Sequence, residues 1–276
     1  GIAAVTVVEL VLGLVAGHPQ LVDIDHDDEI AGVDVTREFR LVFATQAMRD
    51  LGGEPAQVVH AVSASIDAGS RVALVGANGA GKTSLLLALV GAARFAGKIR
   101  VGDLELDRRS LATVRKQLGF VFAEPADQLF LPTVLEEASF GPRQRGLPNA
   151  EELAKSALIR VGLVGLEDRS PHSLSLGEQR RLAIAAVLSL EPALLLLDEP
   201  TASLDSRSRR SVLDAIRASG ATTLFATHDL EAAIELDADV LVLSEGRLLG
   251  GGKARVALTD AALLDAAGLD VPGCLI

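Results

Sequence analysis

Cysteine is nearly absent from this chain: of 276 residues only Cys274, close to the C-terminus, carries a thiol. An internal disulfide and a cysteine-built metal site are both excluded, and the composition suits a reducing cytoplasm. Positive charge is also scarce, with 26 lysines and arginines against 37 aspartates and glutamates and a formal net charge of -11. The basic residues form no block, so a sequence-independent grip on nucleic-acid phosphates has no electrostatic source. Direct docking on anionic lipid is disfavoured for the same reason. No apolar run is long enough for a membrane span: IAAVTVVELVLGLVAG at the start carries Glu9, lacks a basic flank and falls short of about 20 residues. It reads as a packed strand or helix, and any membrane role is expected to run through a partner. Apolar sequence as such is plentiful, at 49%. That suffices for a full core, and one large domain with an appendage fits the length as well as two domains do.

Residues 1–36 hold Glu9, Asp23, Asp25, Asp27, Asp28, Glu29 and Asp34 but no lysine or arginine, and read as an acidic N-terminal extension. Within it, Asp23, Asp25 and Asp27 have the first ligand spacings of a calcium loop. Asp28 stands where such a loop needs glycine and Asp34 where it uses glutamate, so the segment reads as a solvated acidic loop. From Val35 the pattern VTREFRLVF alternates as a strand, MRDLGGEPAQ reads as a loop, and VVHAVSASI reads as a second strand ending at Asp67, Ala68 and Gly69. This is an antiparallel opening. RVALVG, a glycine-rich loop and the apolar helix TSLLLALVGAA then make a strand, loop and helix unit. ALLLLDEP (193–200) and ATTLFATHD (221–229) are further buried strands, each preceded by a helix-like segment, which implies a parallel sheet covered on both faces. The pattern from Phe120 to Pro192 is mostly helical and marks an inserted helical subdomain, about 124–178. VLVLSEGRLL (240–249) closes the sheet, and TDAALLDAAGL forms a terminal helix capped by Thr259 or Asp260.

GANGAGKT, Gly76 to Thr83, fits G-x-x-x-x-G-K-[ST] after a buried strand and before a helix, the context a phosphate-binding loop requires. Gly76, Asn78, Gly79, Ala80, Gly81, Thr83 and Ser84 wrap the phosphates, Lys82 reaches the outer ones, and the Thr83 hydroxyl is placed to hold magnesium. Asp198 and Glu199 end a run of four leucines, where the carboxyl ends of parallel strands gather ligand groups. Asp198 suits magnesium, and Glu199 suits the orientation and deprotonation of an attacking water. His228 follows another apolar strand and is either a γ-phosphate contact supporting that water or an ordinary polar loop residue. Ser175, Gly177 and Glu178 precede or open a helix running from about Glu178. That start is either a plain N-cap or a second anion cradle. Two cradles for one nucleotide need not share a molecule, since two chains head to tail would each lend one.

GANGAGKT, LSLGEQRR, LLLLDEP, TASLD and ATHD, in this order, resemble the Walker A, signature, Walker B, D-loop and H-loop of ATP-binding cassette (ABC) ATPases. The resemblance covers about residues 37–270. It implies an α/β P-loop NTPase with a RecA-like parallel core sheet, an antiparallel β subdomain and an inserted α-helical subdomain. The ATPase domain would span 37–250, followed by a short helical tail at 251–276. It also implies ATP with Mg2+, and a sandwich dimer in which Ser175, Gly177 and Glu178 of one subunit close over ATP on the other while Ser203 and Asp205 cross the seam. A narrower likeness comes from GFVFAEPADQLFLPTVLEEASFGPRQRGLP, PHSLSLGEQRR and LLDAAGLDVP, which resemble the ATPases of energy-coupling factor importers for cobalt, nickel and vitamins. Those work at the cytoplasmic face of the membrane with a second ATPase, identical or paralogous, a transmembrane coupling protein and a small membrane substrate-binder.

Two positions depart from the family pattern. Ala123 stands where the Q-loop glutamine is usual, with Gln128 the separate glutamine of the PxDQLF stretch. The family also stacks adenine on an aromatic residue, often tyrosine, near the end of the first strand. This chain has no tyrosine, and Phe43 is the nearest aromatic to Thr45, which falls near that place. The rival readings are a non-transport ABC ATPase and, given Ala123, a regulatory ATP-binding subunit with little turnover.

Overall fold

The structure is a computed structural model that describes residues 24–25, 40–51 and 54–275, with side chains from 58 to 275. Apart from Ile24–Asp25, the acidic extension with its calcium-like spacing lies outside the described residues. The chain divides into two compact units, one built from Pro19–Val114 with Thr222–Ile276 and the other around Arg115–Ala221.

The first unit opens with a mainly antiparallel sheet. Its strands are β1 (Ile24–Asp25), β2 (Arg40–Leu51), β3 (Glu54–Gln57), β4 (Val62–Asp67), β6 (Arg94–Val101) and β7 (Leu104–Glu105). β2 is the hub, pairing antiparallel with β4 (Leu41↔Ile66), β6 (Phe43↔Ile99) and β3 (Leu51↔Glu54), while β1 joins β6 in parallel. MRDL, expected in a loop, is therefore the end of β2, and EPAQ is a strand of its own. Pairing of Leu51 with Glu54 leaves only two positions, Gly52 and Gly53 in the sequence, between the strands, a dipeptide that two-residue hairpins favour. RFAGKIRV (β6) escaped sequence reading because Gly97, at φ 106, interrupts its alternation; pairing along β2 supplies what local propensity lacks. Between β4 and β6 lie β5 (Arg71–Val75) and helix α1 (Lys82–Leu89), which stops four residues short of the expected Ala93.

The second unit begins at helix α2 (Leu111–Gln117), which crosses the division. It continues through β8 (Leu118–Val121), α3 (Val134–Gln144), α4 (Ala150–Arg160), α5 (Leu176–Leu188), β9 (Leu194–Asp198) and α6 (Ser206–Ser219). β8 and β9 are parallel and buried along their whole length, the pattern of strands covered on both faces. Helix starts are fixed by side chains: Thr133 and Glu136 form a reciprocal capping box on α3, and Asp205 caps α6, which ends on Gly220 at φ 63. The core joins Ala154, Leu158, Leu182, Ile184, Leu188, Val212 and Leu213. Glu137 on α3 is 97% buried, with 3% of its surface exposed, and its Oε2 accepts the N–H groups of Phe130 (2.9 Å) and Leu131 (2.7 Å). Burial pushes its carboxyl up from the ordinary range, and those two donors pull against that shift.

The chain then returns to the first unit with β10 (Thr222–Thr227), α7 (Leu230–Glu235), β11 (Asp239–Ser244), β12 (Arg247–Lys253), α8 (Ala254–Ala257) and α9 (Ala261–Ala266). β5 takes β10 and β11 as parallel neighbours, and β12 closes antiparallel on β11, giving the order β12-β11-β5-β10 within this unit. VLVLSEGRLL, expected to close the sheet, does so as a hairpin: Glu245 (φ 45) and Gly246 (φ 71) are both left-handed, as a two-residue type I′ turn demands. Asp260, not Thr259, caps the terminal helix by accepting Leu263 N–H at 3.0 Å, while the Thr259 hydroxyl donates to Val256 O. No helix among the described residues is long and apolar enough to cross a membrane.

Glu137→Leu strands the N–H groups of Phe130 and Leu131 that the carboxylate now receives. The expected loss is about 1 kcal/mol, the low end of the penalty for an unsatisfied donor, since both N–H groups are part-buried. It is read as a lower urea midpoint at unchanged slope, and a midpoint equal to that of the parent chain refutes the clamp.

Candidate active site

The first unit carries the glycine loop. β5 is buried from Val72 to Val75 and is followed by Gly76, where an added Cβ would lie 2.2 Å from Leu243 O, so no side chain fits there. Asn78 and Gly79 are exposed, Ala80 and Ser84 are buried, and Gly79 (φ 85) and Gly81 (φ 99) take left-handed conformations open to glycine. Gly81 is the N-cap of α1 and offers no side chain to it, and the first turn of α1 has no acidic residue. This helix start therefore holds no carboxylate that would repel an anion, and the helix dipole favours one there. Lys82 is buried, and its ammonium donates to Gly76 O (2.8 Å) and Ala77 O (3.3 Å), drawing the loop closed around the charge. Thr83, next in line, is exposed. β10 pairs with β5 so that Thr227 is opposite Val75, and His228 and Gly76 leave the same sheet end side by side. His228 is exposed, and the turn beneath it is held by Asp229 N–H donating to the buried Thr227 hydroxyl at 2.9 Å.

The second unit carries the other predicted residues. Asp198 is buried at the end of β9, and Glu199, half-buried, follows with φ 45. Helix α5 starts at Leu176, two residues earlier than the sequence pattern suggested, because Ser175 is its cap. Ser175 accepts Glu178 N–H through Oγ, and its own N–H and Oγ–H donate to Glu178 Oε2 at 2.8 and 2.7 Å. These donors hold the Glu178 carboxyl below its ordinary range, the Ser175 hydroxyl first. Gly177 has a packing reason of its own: a Cβ there would fall 2.6 Å from Ser208 Cβ on α6. Asp205 is committed to its cap, accepting from Arg207 N, Ser208 N and Ser208 Oγ, and Ser203 is left-handed at φ 60.

Reading the sequence passed over Arg180. This residue of α5 is 3% exposed and donates through Nη1 to Glu199 O (2.7 Å) and through Nη2 to Ala202 O (2.9 Å). It ties the helix that starts at Ser175 to the turn that carries Glu199. Burial lowers its pKa, and the facing charges of Glu124 and Glu199 oppose that. Nothing in QRR separates it from the neighbouring Arg181. The side chain of Gln128 turns inward, Oε1 accepting Phe122 N–H at 3.2 Å, and Ala123 follows Phe122. The adenine-stacking candidates Phe43 and Thr45 lie on β2, whose side chains are outside the described residues.

A family model described as ABC transporter matches residues 59–202. A putative ABC transporter ATP-binding protein of Streptomyces coelicolor is 43% identical over 219 residues, 78% of this chain and 84% of that one. The chain belongs to the ABC transporter ATPase family. An energy-coupling factor transporter ATP-binding protein of Methanothermobacter thermautotrophicus is 38% identical over 239 residues, 82% of this chain and 76% of that one. Among solved structures, cbiO1 of Clostridium perfringens, described as part of the ABC transporter complex cbiONQ, superposes with a TM-score of 0.73. It is 29% identical and covers 83% of this chain and 94% of its own. The fold is thus the P-loop NTPase α/β fold of ABC cassettes, and the protein is an ATP-binding ABC ATPase.

Because the Glu178 carboxyl titrates lower in the folded chain than the about 4.3 of an unfolded glutamate, its contribution to stability is complete above that value. It is lost as pH falls through the depressed folded value. Glu178→Gln is expected to show a smaller drop in urea midpoint between about pH 7 and pH 3 than the parent chain. Equal drops in both would show that Ser175 does not favour the ionised form.

Proposed function

We propose that this chain is the ATP-hydrolysing subunit of an energy-coupling-factor-type importer for a metal ion or vitamin. In this reading it works at the cytoplasmic face of the membrane as a head-to-tail dimer with an identical or paralogous ATPase. A transmembrane coupling protein and a small membrane substrate-binder form the passage. The names of the relatives and the PADQLF stretch support the importer class. The observation that carries the ATPase reading is the buried Lys82 ammonium folded on Gly76 O and Ala77 O beside the uncapped start of α1.

On ATP binding, Lys82 exchanges its carbonyl partners for the outer phosphate oxygens, and the amides of Gly79 to Ser84 receive the remaining charge. Among the described residues no cluster of three or more His, Cys, Asp or Glu forms a metal site. The hydroxyl of Thr83 and the carboxylate of Asp198 are oxygen donors of the kind Mg2+ takes together with water and phosphate oxygens. Mg2+ bound with the nucleotide would neutralise charge on the transferring phosphoryl group. Glu199 orients a water in line with the γ-phosphorus and takes its proton as the new P–O bond forms and the bond to ADP breaks. His228 steadies the γ-phosphate from the neighbouring strand end. Ser175, Gly177 and Glu178 act on the partner's nucleotide, with the Ser175 hydroxyl released from its capping box.

A second reading, an ATP-binding regulatory subunit with little turnover, is favoured by one observation. Ala123 offers no polar side chain, and the nearby Gln128 carboxamide oxygen is occupied by Phe122 N–H.

Lys82→Ala is expected to abolish tight ATP binding, whereas Glu199→Gln keeps binding, stops hydrolysis and traps a closed dimer. ATP titration, phosphate release and size-exclusion chromatography read the three effects. Near-normal turnover in Glu199→Gln removes that residue from its role. Ala123→Gln separates the two readings of turnover. A positioned polar group is worth roughly 10–1,000-fold in rate at such sites, so the amide is expected to raise phosphate release with little change in ATP affinity. An equal or lower rate shows a site built around alanine.

A further inference from the structure

We infer that Arg180 is a positioning residue for Glu199, fixing from helix α5 the backbone turn that aims this carboxylate. The inference rests on the assignment of Glu199 as the water-activating group. The turn needs such support. Glu199 at φ 45 and Ser203 at φ 60 are both non-glycine residues in the left-handed region, a conformation that persists only where surroundings enforce it. Two donors converge on Glu199 O: Ala202 N–H from within the turn at 3.2 Å, and Arg180 Nη1 from the helix at 2.7 Å. Arg180 Nη2 takes the carbonyl of Ala202 itself, so one rigid guanidinium spans both ends of the turn. Its Nε is buried and has no hydrogen-bond partner among the described residues. The side chain is therefore placed by its two terminal contacts, not by a fully satisfied pocket. A planar fork suits this task, and a lysine ammonium at the same place keeps the charge but loses the fixed spacing of two donors.

The position along α5 adds a consequence. Arg180 lies five residues after Ser175 on a helix rising about 1.5 Å per residue, so a push or rotation at the helix start reaches the Glu199 turn of the same chain within about 8 Å. In the dimer reading, the helix that senses the partner's nucleotide thereby sets the geometry of its own chain's water-activating carboxylate. The charged donor does this through the main-chain carbonyls of Glu199 and Ala202.

The test uses the full chain in its assembled ATPase, with Arg180→Lys, Arg180→Gln, Glu199→Gln and the double variants. Misplacement by about 1 Å costs up to roughly a hundredfold, so Arg180→Gln is expected to lower kcat about 10–100-fold and Arg180→Lys about 3–10-fold. The KM for ATP should stay within about threefold of the parent, because the glycine loop is untouched. Added to Glu199→Gln, either change should cost nothing further, since the group it positions is gone. Amide hydrogen exchange at Ala202 in the nucleotide-free chain should quicken about tenfold. If Arg180→Gln does not fold, Arg180→Lys decides. Parental kcat in Arg180→Lys, losses that multiply with an inactive Glu199→Gln, or unchanged exchange at Ala202 would each overturn the positioning role while leaving Glu199 in place. Near-normal hydrolysis in Glu199→Gln alone overturns the assignment of Glu199 and this inference with it.

Discussion

A backbone carbonyl decides what the phosphate loop is allowed to be. Leu243 O on β11 stands where any side chain at position 76 would have to go, and Val58 O does the same to Gly246 at 2.2 Å and to Gly81 at 2.9 Å. Around these contacts His60 N–H donates to Gly246 O and Gly246 N–H to Ala80 O, so the β11–β12 turn is laced onto the loop from outside. Glycine at 246 satisfies two demands at once, a left-handed φ of 71 and the absence of a Cβ. The loop therefore meets its ligand already shaped. Little ordering entropy is lost on binding, and donors arranged in advance are the ones that stabilise charge most strongly in phosphoryl transfer.

The second unit solves a different problem, that of aiming side chains with a set of helices. Three of its helices start on polar side-chain caps, Thr133, Ser175 and Asp205, and the caps at 175 and 205 use residues that the family resemblance assigns to nucleotide and dimer contacts. In the free chain these groups are satisfied locally. In the proposed head-to-tail dimer, closure would trade such local hydrogen bonds for intermolecular ones, keeping the net energy of association modest and reversible. Gly177 belongs to the same economy of space: its hydrogen lets α5 and α6 approach at Ser208.

Much of this was legible in residues alone. The glycine loop, the buried leucine strand ending in Asp198 and Glu199, and the strand ending at His228 are local patterns with fixed offsets, and the chain folds them where the offsets say. What escaped reading depended on partners far along the chain. RFAGKIRV is a strand because β2 offers it a register, although Gly97 spoils its alternation. The hairpin at Glu245 and Gly246 was present as a dipeptide, yet its role in bracing Ala80 appears only when the loop is folded beneath it. Arg180 is the clearest case. Two arginines follow Gln179, and only tertiary placement sends one to the Glu199 turn and the other, Arg181, to the carbonyls of Val161 and Gly162.

The order of strands around β5 also sets a timetable for synthesis. β5 ends at Val75, but its two parallel neighbours are β10 and β11, contributed by residues 222–227 and 239–244. Loop closure over some 150 residues must therefore precede completion of the sheet that supports the glycine loop, and contacts of such separation form slowly. The segment 115–221 leaves the ribosome before β10 and β11 do, with its own helices, caps and β8–β9 pair in hand. Until the last fifth of the chain emerges, the edges of β5 remain unpaired and exposed, which makes this five-residue apolar strand the point at which a nascent chain depends most on protection from aggregation.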